Sequence, residues 1–284
     1  MKKIFIAIAA TAALSAALTG CGNAGKGNLS TNDSLGIDSI VKSVDIDLKM
    51  LTASRSYDVD IDTSSYHLVM TASVQWPVKD GDFKLSALQD TIKAICFPPK
   101  AGDITHAIAQ YVSDLSQTGL DSHEARITPT DRVYPDSVNS FNMSLNCRVM
   151  EFGQRLLTYQ MVQNSYLGGA HPNTVSRTIT FDLDRNRIIS VDDLIDKNRL
   201  DDFYLAILKQ LGEQFDLSAT ELRETLLVPS ITGLGTVYLA DGYIYMHYNP
   251  YDILPYSFGT IDVQLSPWQY DQLLTPYARE LLVS

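Results

Sequence analysis

The chain has 284 residues, 22 Lys and Arg against 33 Asp and Glu, and a formal charge of −11. A field of that sign repels phosphate backbones and anionic lipid surfaces, so nucleic acid is excluded as a natural partner. The length allows one large or two small packed units.

Lys2 and Lys3 precede an uncharged apolar run from Ile4 to Leu18, which ends in Leu18-Thr19-Gly20-Cys21. A basic start, a short apolar stretch and small residues before a cysteine make an export signal, and the run is shorter than the roughly 20 residues a spanning helix needs. The last four residues resemble the bacterial lipobox, which implies cleavage before Cys21 and lipid on its sulfur and amino group. Residues 1–20 are thus expected to be a signal peptide. Residues 21–42, rich in Gly, Asn, Ser, Thr and Asp, are expected to be a flexible tether. Gly22 stands where an aspartate would resemble an inner-membrane retention signal, which favours the outer membrane in a Gram-negative cell. Removing residues 1–20 takes away Lys2 and Lys3 and no acid, leaving 20 basic against 33 acidic side chains, −13. Such a charge steers a cationic partner inward or simply keeps an exported protein soluble.

The body divides into an N-terminal part, 43–165, and a C-terminal part, 166–284. Val44, Ile46, Leu48 and Met50 alternate with polar residues, as do Tyr57, Val59 and Ile61. The clearest alternation runs from Tyr66 to Trp76 and places His67 on the solvated face. These are expected to be antiparallel strands with one buried face. The period then changes. Ser86 and Gln89 form a capping-box pattern, and Leu88, Ile92, Ile95 and Cys96 share a helical face. Ile104, Ala107, Ile108, Tyr111, Val112 and Leu115 make a second amphipathic helix, with His106 outward. Strand periodicity returns at Phe141–Val149, Leu157–Met161 and Val175–Leu183. Capping patterns at Ser190–Asp193 and Ser218–Glu221 flank an amphipathic helix over 200–215. Asp241-Gly242 reads as a type I′ turn between two strands, Ile261–Leu265 as a last strand, and Ser266-Pro267 as the start of a closing helix. Strands in runs and helices in runs argue an α+β fold, a mainly antiparallel sheet with amphipathic helices on one face.

Chemistry is sparse. No histidine pair has zinc spacing, no G-x-S-x-G elbow is present and no glycine loop precedes a lysine, so neither metal nor cofactor is expected. Asp182, Asp184, Asn186, Ile189 and Asp193 partly match a calcium loop, but Arg187 replaces its glycine and turn chemistry explains the same residues. Cys96 and Cys147 lie on apolar faces, where they are either a disulfide or two buried free thiols. The most constrained stretch is Tyr166-Leu167-Gly168-Gly169-Ala170-His171-Pro172-Asn173: two glycines allow positive φ, and Pro172 holds His171 extended. His171 there is a ligand or proton-transfer group, or the cap of a structural hairpin loop. The C-terminal part is rich in tyrosine. Tyr243 and Tyr245 are expected in the core; Tyr251 stays open between core and surface.

Tyr166 to Asn173, Phe181-Asp182-Leu183, Ile189 to Leu194, Asn249-Pro250-Tyr251-Asp252-Ile253 and Tyr256-Ser257-Phe258-Gly259 resemble a family signature. It is that of the extracytoplasmic region of RsiV, the lysozyme-sensing anti-sigma factor, which also occurs beside the catalytic domain of a peptidoglycan deacetylase and in many uncharacterised lipoproteins. The resemblance covers about 45–275. It implies an α+β envelope module without a catalytic activity of its own, whose ligand is a cell-wall glycan such as peptidoglycan or a lysozyme-like cationic protein. Sigma-factor regulation and deacetylation are not carried over. The expectation is a non-enzymatic binding protein of the cell envelope, anchored through Cys21, with Tyr166, Gly168, Gly169, His171, Tyr251 and Tyr256 at its ligand site. The alternatives are a structural lipoprotein and a carbohydrate-active hydrolase using His171 with Asp182 or Asp252.

Overall fold

A computed structural model describes residues 46–79, 85–98, 102–120, 125–132, 140–153 and 155–283. The expected signal peptide, Cys21 and the expected tether lie outside them. None of the described helices is long and apolar enough to cross a membrane.

Two long strands, β1 (Ile46–Ile61) and β2 (Ser64–Lys79), pair as a hairpin from Ile61↔Ser64 to Ile46↔Lys79. The chain then forms α1 (Ser86–Cys96) and α2 (Ile104–Tyr111) and returns as β3 (Arg126–Thr130), β4 (Ser140–Phe152), β5 (Leu156–Tyr166), β6 (Asn173–Asp182) and the two-residue β7 (Arg187–Ile188). The order across this seven-stranded sheet is β3-β1-β2-β4-β5-β6-β7. Every pairing is antiparallel except β2 with β4, which the long crossover through α1 and α2 makes parallel. The fold is α+β, mainly antiparallel, as the alternation of strand and helix runs implies.

One face of the sheet is apolar: Leu68, Met70, Ala72 and Val74 of β2, Met143, Leu145 and Cys147 of β4, and Leu157 and Tyr159 of β5 pack with Leu88 and Ile92 of α1 and Ala107 and Ile108 of α2. Tyr57 donates its hydroxyl to the Val112 carbonyl, tying β1 to the end of α2. A second core follows the turn after Leu183. It joins α3 (Val191–Leu194), α4 (Leu200–Phe215), α5 (Ala219–Thr225) and α6 (Pro276–Leu282) to a small sheet of β8 (Thr236–Ala240), β9 (Tyr243–Tyr248) and β10 (Ile261–Leu265), ordered β10-β9-β8. The cores therefore part between Leu183 and Ile189, whereas the expected division at 165/166 falls inside the β5–β6 hairpin.

Asp241 and Gly242 both take positive φ between β8 and β9, as a type I′ turn requires. Capping boxes form at Ser190–Asp193 and Ser218–Glu221. Four local expectations are corrected. Ser86 begins α1 rather than capping it, and Gln89 donates to the Pro77 carbonyl instead of closing a box. Pro267 sits in a turn; the closing helix starts at Pro276 behind a Thr275 cap, so the same N1 rule is satisfied nine residues later. Ile46, Leu48 and Met50 continue β1 on the face opposite Tyr57 and Val59, which leaves Leu48 and Met50 exposed. His67 is buried rather than solvated, opposite Asp58 of β1 with Nδ1 3.9 Å from its carboxylate.

Candidate functional site

The site is built from the polar face of β6. Ser176, Thr178, Thr180 and Asp182 alternate along it and all four are buried, because the small sheet docks there. Buried hydroxyls must find partners. Thr180 Oγ1 accepts from Leu239 N at 2.8 Å and Thr158 Oγ1 donates to Leu239 O at 2.6 Å, so two threonines pair with the backbone of β8. Further along, Asn249 treats Ser176 as a strand would: Ser176 N donates to Asn249 Oδ1 at 2.6 Å, and Asn249 Nδ2 donates to Ser176 O at 3.1 Å. The amide thereby fastens the turn after β9 to the sheet.

That turn is Asn249-Pro250-Tyr251-Asp252. Asp252 N donates to Asn249 O at 3.0 Å, and Asn249 N donates to the Asp252 carboxylate at 2.7 Å. Proline second and positive φ third is the type II pattern, whose third position favours glycine. Here it holds Tyr251 at φ 71°, with 57% of the residue exposed. A bulky side chain in the left-handed region costs roughly 1–2 kcal/mol.

Five residues on, Tyr256 lies against the hairpin tip. Its ring stacks on His171 with centroids 3.7 Å apart and 18° between planes, and its hydroxyl donates to Pro172 O at 2.7 Å. Tyr251 meets the same ring at 5.7 Å. His171 Nδ1 lies 2.9 Å from Pro172 O, an oxygen that can only accept, so Nδ1 is the donor in this contact. His171, Tyr256 and Tyr251 thus form one aromatic ledge on the surface.

Tyr166 reaches Gly169 O through its hydroxyl at 3.4 Å, and Gly168 and Gly169 take φ 91° and 97°. A Cβ on Gly168 would meet only Phe141 at 3.6 Å, so conformation rather than space calls for glycine there. Beside Gly168 opens a cavity of about 330 Å³ whose walls include Phe141, Leu167 and Tyr66, the last stacked on Phe141 at 4.5 Å. The corner is exposed and has a concavity next to it.

The hydrolase partners proposed for His171 are elsewhere engaged. Asp182 is fully buried, accepts from Asp184 N and Arg185 N, and binds the Tyr277 hydroxyl and Arg155. Asp252 closes the Asn249 turn. The partial calcium pattern is likewise divided, since Asp193 binds Arg187 and Ser190. Among the described residues no group of three or more His, Cys, Asp or Glu side chains converges as a metal would need.

Ser176, His247 and Asp262 form a Ser-His-Asp arrangement that no motif in the sequence announces. Ser176 Oγ is 2.9 Å from His247 Nε2, and His247 Nδ1 is 2.8 Å from Asp262 Oδ1. Distances match a nucleophile triad. Ser176 Oγ also reaches Asn249 Oδ1 at 3.3 Å, and His247 Nε2 also faces the Ser176 carbonyl at 3.2 Å, so the serine and the imidazole are held by partners outside the three as well as by one another. Ser176 and His247 are 6% and 2% exposed. The relay acts as a polar clamp between the sheets. Its one sequence signal is the alternation that turns His247 away from Met246 and Tyr248; its pairing with Ser176 is tertiary. Tyr238 and Tyr245, stacked at 4.9 Å, fill the same side, with Tyr238 buried and Tyr245 half-buried.

Residues 192–267 match the model of a family described as a protein of unknown function, DUF3298. No curated protein matches. A DUF3298-family structure from Bacteroides fragilis superposes with a TM-score of 0.61 at 20% identity, over 84% of this chain and 97% of that one. A second, from Pseudomonas aeruginosa PAO1, gives 0.54 at 14% identity over 83% and 97%. Identities this low speak for the fold alone: the chain carries a DUF3298 match within an architecture shared with solved members of that family.

Proposed function

We propose that this protein is a non-enzymatic binding module of the bacterial cell envelope, tethered by lipid on Cys21, whose ledge of His171, Tyr256 and Tyr251 contacts the ligand. The observation that carries it is the convergence of these three rings on one exposed surface, with Tyr251 kept outward at an unfavourable φ. Strain of this kind persists where the surrounding structure imposes it, and it clusters at ligand sites. Exposed aromatic faces stack on sugar rings and anchor protein interfaces. The ligand classes that fit are a cell-wall glycan and a lysozyme-like cationic protein, the latter drawn in by the acidic body.

Retention of the purified protein on immobilised lysozyme and on insoluble peptidoglycan tests this. Retention on either, lowered at least tenfold by Tyr251→Ala and by His171→Ala, supports the reading; retention on neither, or variants that bind like wild type, overturns it. For the anchor, Cys21→Ser should move the expressed protein from the detergent phase to the aqueous phase.

A further inference from the structure

We propose that Cys96 and Cys147 close a disulfide bond that pins the C-terminal end of α1 to the large sheet. Their sulfurs face each other 3.3 Å apart as free thiols, across 51 residues of sequence. Cys147 stands in β4 opposite Val74 of β2 and Met161 of β5, so it belongs to the interior of the sheet and is buried. Cys96 is the last residue of α1 and half-buried, the sulfur that a dissolved oxidant reaches first. The approach to the ~2.05 Å of a bond asks for a small shift of a helix end, since Phe97 behind it is already extended.

The neighbourhood favours an internal exchange over a lasting adduct. The hydrogen bond with Cys96, and then burial, push the Cys147 thiol up, so Cys147 is the resolving partner rather than the first nucleophile. The Cys96 thiolate attacks the disulfide of an oxidant, a small-molecule or protein disulfide, and expels one thiolate. Cys147 then gives up its proton and attacks Cys96 Sγ, expelling the second. The oxidant leaves as two thiols, and the protein has lost two hydrogens. The step does not rest on the ledge, and its test is separate from the binding assays.

The purified protein is equilibrated with oxidised glutathione, alkylated without reductant and digested for mass spectrometry. The expected result is one cross-linked species joining the Cys96 and Cys147 peptides, lighter by two hydrogens. Closing a loop of this length should raise the melting temperature by roughly 5–15 °C, reversed by dithiothreitol and absent in Cys96→Ala. Wild type with and without reductant gives the same comparison should the variant fail to fold. Both thiols alkylated after oxidation, or Cys96 recovered as its glutathione adduct with Cys147 alkylated, overturns the bond. A cross-link with an unchanged melting temperature overturns its role as a staple.

Discussion

Replacing Tyr251 should separate stability from binding. The residue, more than half exposed, occupies the third position of the Asn249–Asp252 turn at φ 71°, and its ring makes a tilted contact with Tyr256 at 5.7 Å. Glycine relieves the roughly 1–2 kcal/mol of left-handed strain but adds unfolded-state freedom worth about 0.4–1 kcal/mol. Losing the ring contact removes at most about 0.5 kcal/mol. Tyr251→Gly is thus expected to lie between about 0.5 kcal/mol destabilised and about 1.5 kcal/mol stabilised, which is about −2 to +6 °C for a body of this size. Tyr251→Ala loses the same ring and keeps the strain, so it should melt about 2–4 °C below the glycine variant. Both should lose ligand retention equally. The assay is a melt of the three proteins beside their retention on lysozyme and peptidoglycan. A glycine variant that melts at or below the alanine variant refutes the strain argument, because the ring would then be held by packing.

Asp182 is a fully buried carboxylate joining β6 to Tyr277 of α6, with Arg185 3.5 Å over the Tyr277 ring; Asp182→Ala should cost about 3 kcal/mol, and hydrogen exchange should rise first in 276–282. Arg187 and the Ser190 cap hold the Asp193 carboxyl far below the carboxylate range. Because its folded pKa is depressed, its contribution is complete above the unfolded value of about 3.9 and is lost as pH falls through the folded value, so Asp193→Asn should show a flatter loss of melting temperature below about pH 4 than wild type. Ser176→Ala should lower stability by about 1–2 kcal/mol by leaving His247 and Asn249 short of a partner. A fluorophosphonate probe should label neither protein; labelling of Ser176 in wild type would show that the clamp is a nucleophile.

Elements with a strong local period were legible. Residues 200–215 carry the helical stripe that buries Phe203, Ile207 and Leu211, and 66–76 carry the two-residue alternation that buries Leu68, Met70 and Val74. Local chemistry also placed the Asp241-Gly242 turn and two capping boxes, since each depends on atoms within four residues. Two of the errors share one cause. Period assigns faces but not what covers them, which is why the outward Leu48 and Met50 read as core and His67 as solvated.

The sequence alone was enough to mark the glycine-histidine corner as constrained, because paired glycines and a proline limit the backbone locally; the Asn249–Tyr256 block stood out only through the family resemblance. That His171 lies flat on Tyr256, 85 positions away, and that Ser176 meets His247 and Asn249, 71 and 73 positions away, was decided by the docking of one sheet on another. The reason is energetic. The buried hydroxyls of β6 find partners on β8, β9 and the following turn as well as on neighbouring β5, and no spacing along the chain encodes which ones.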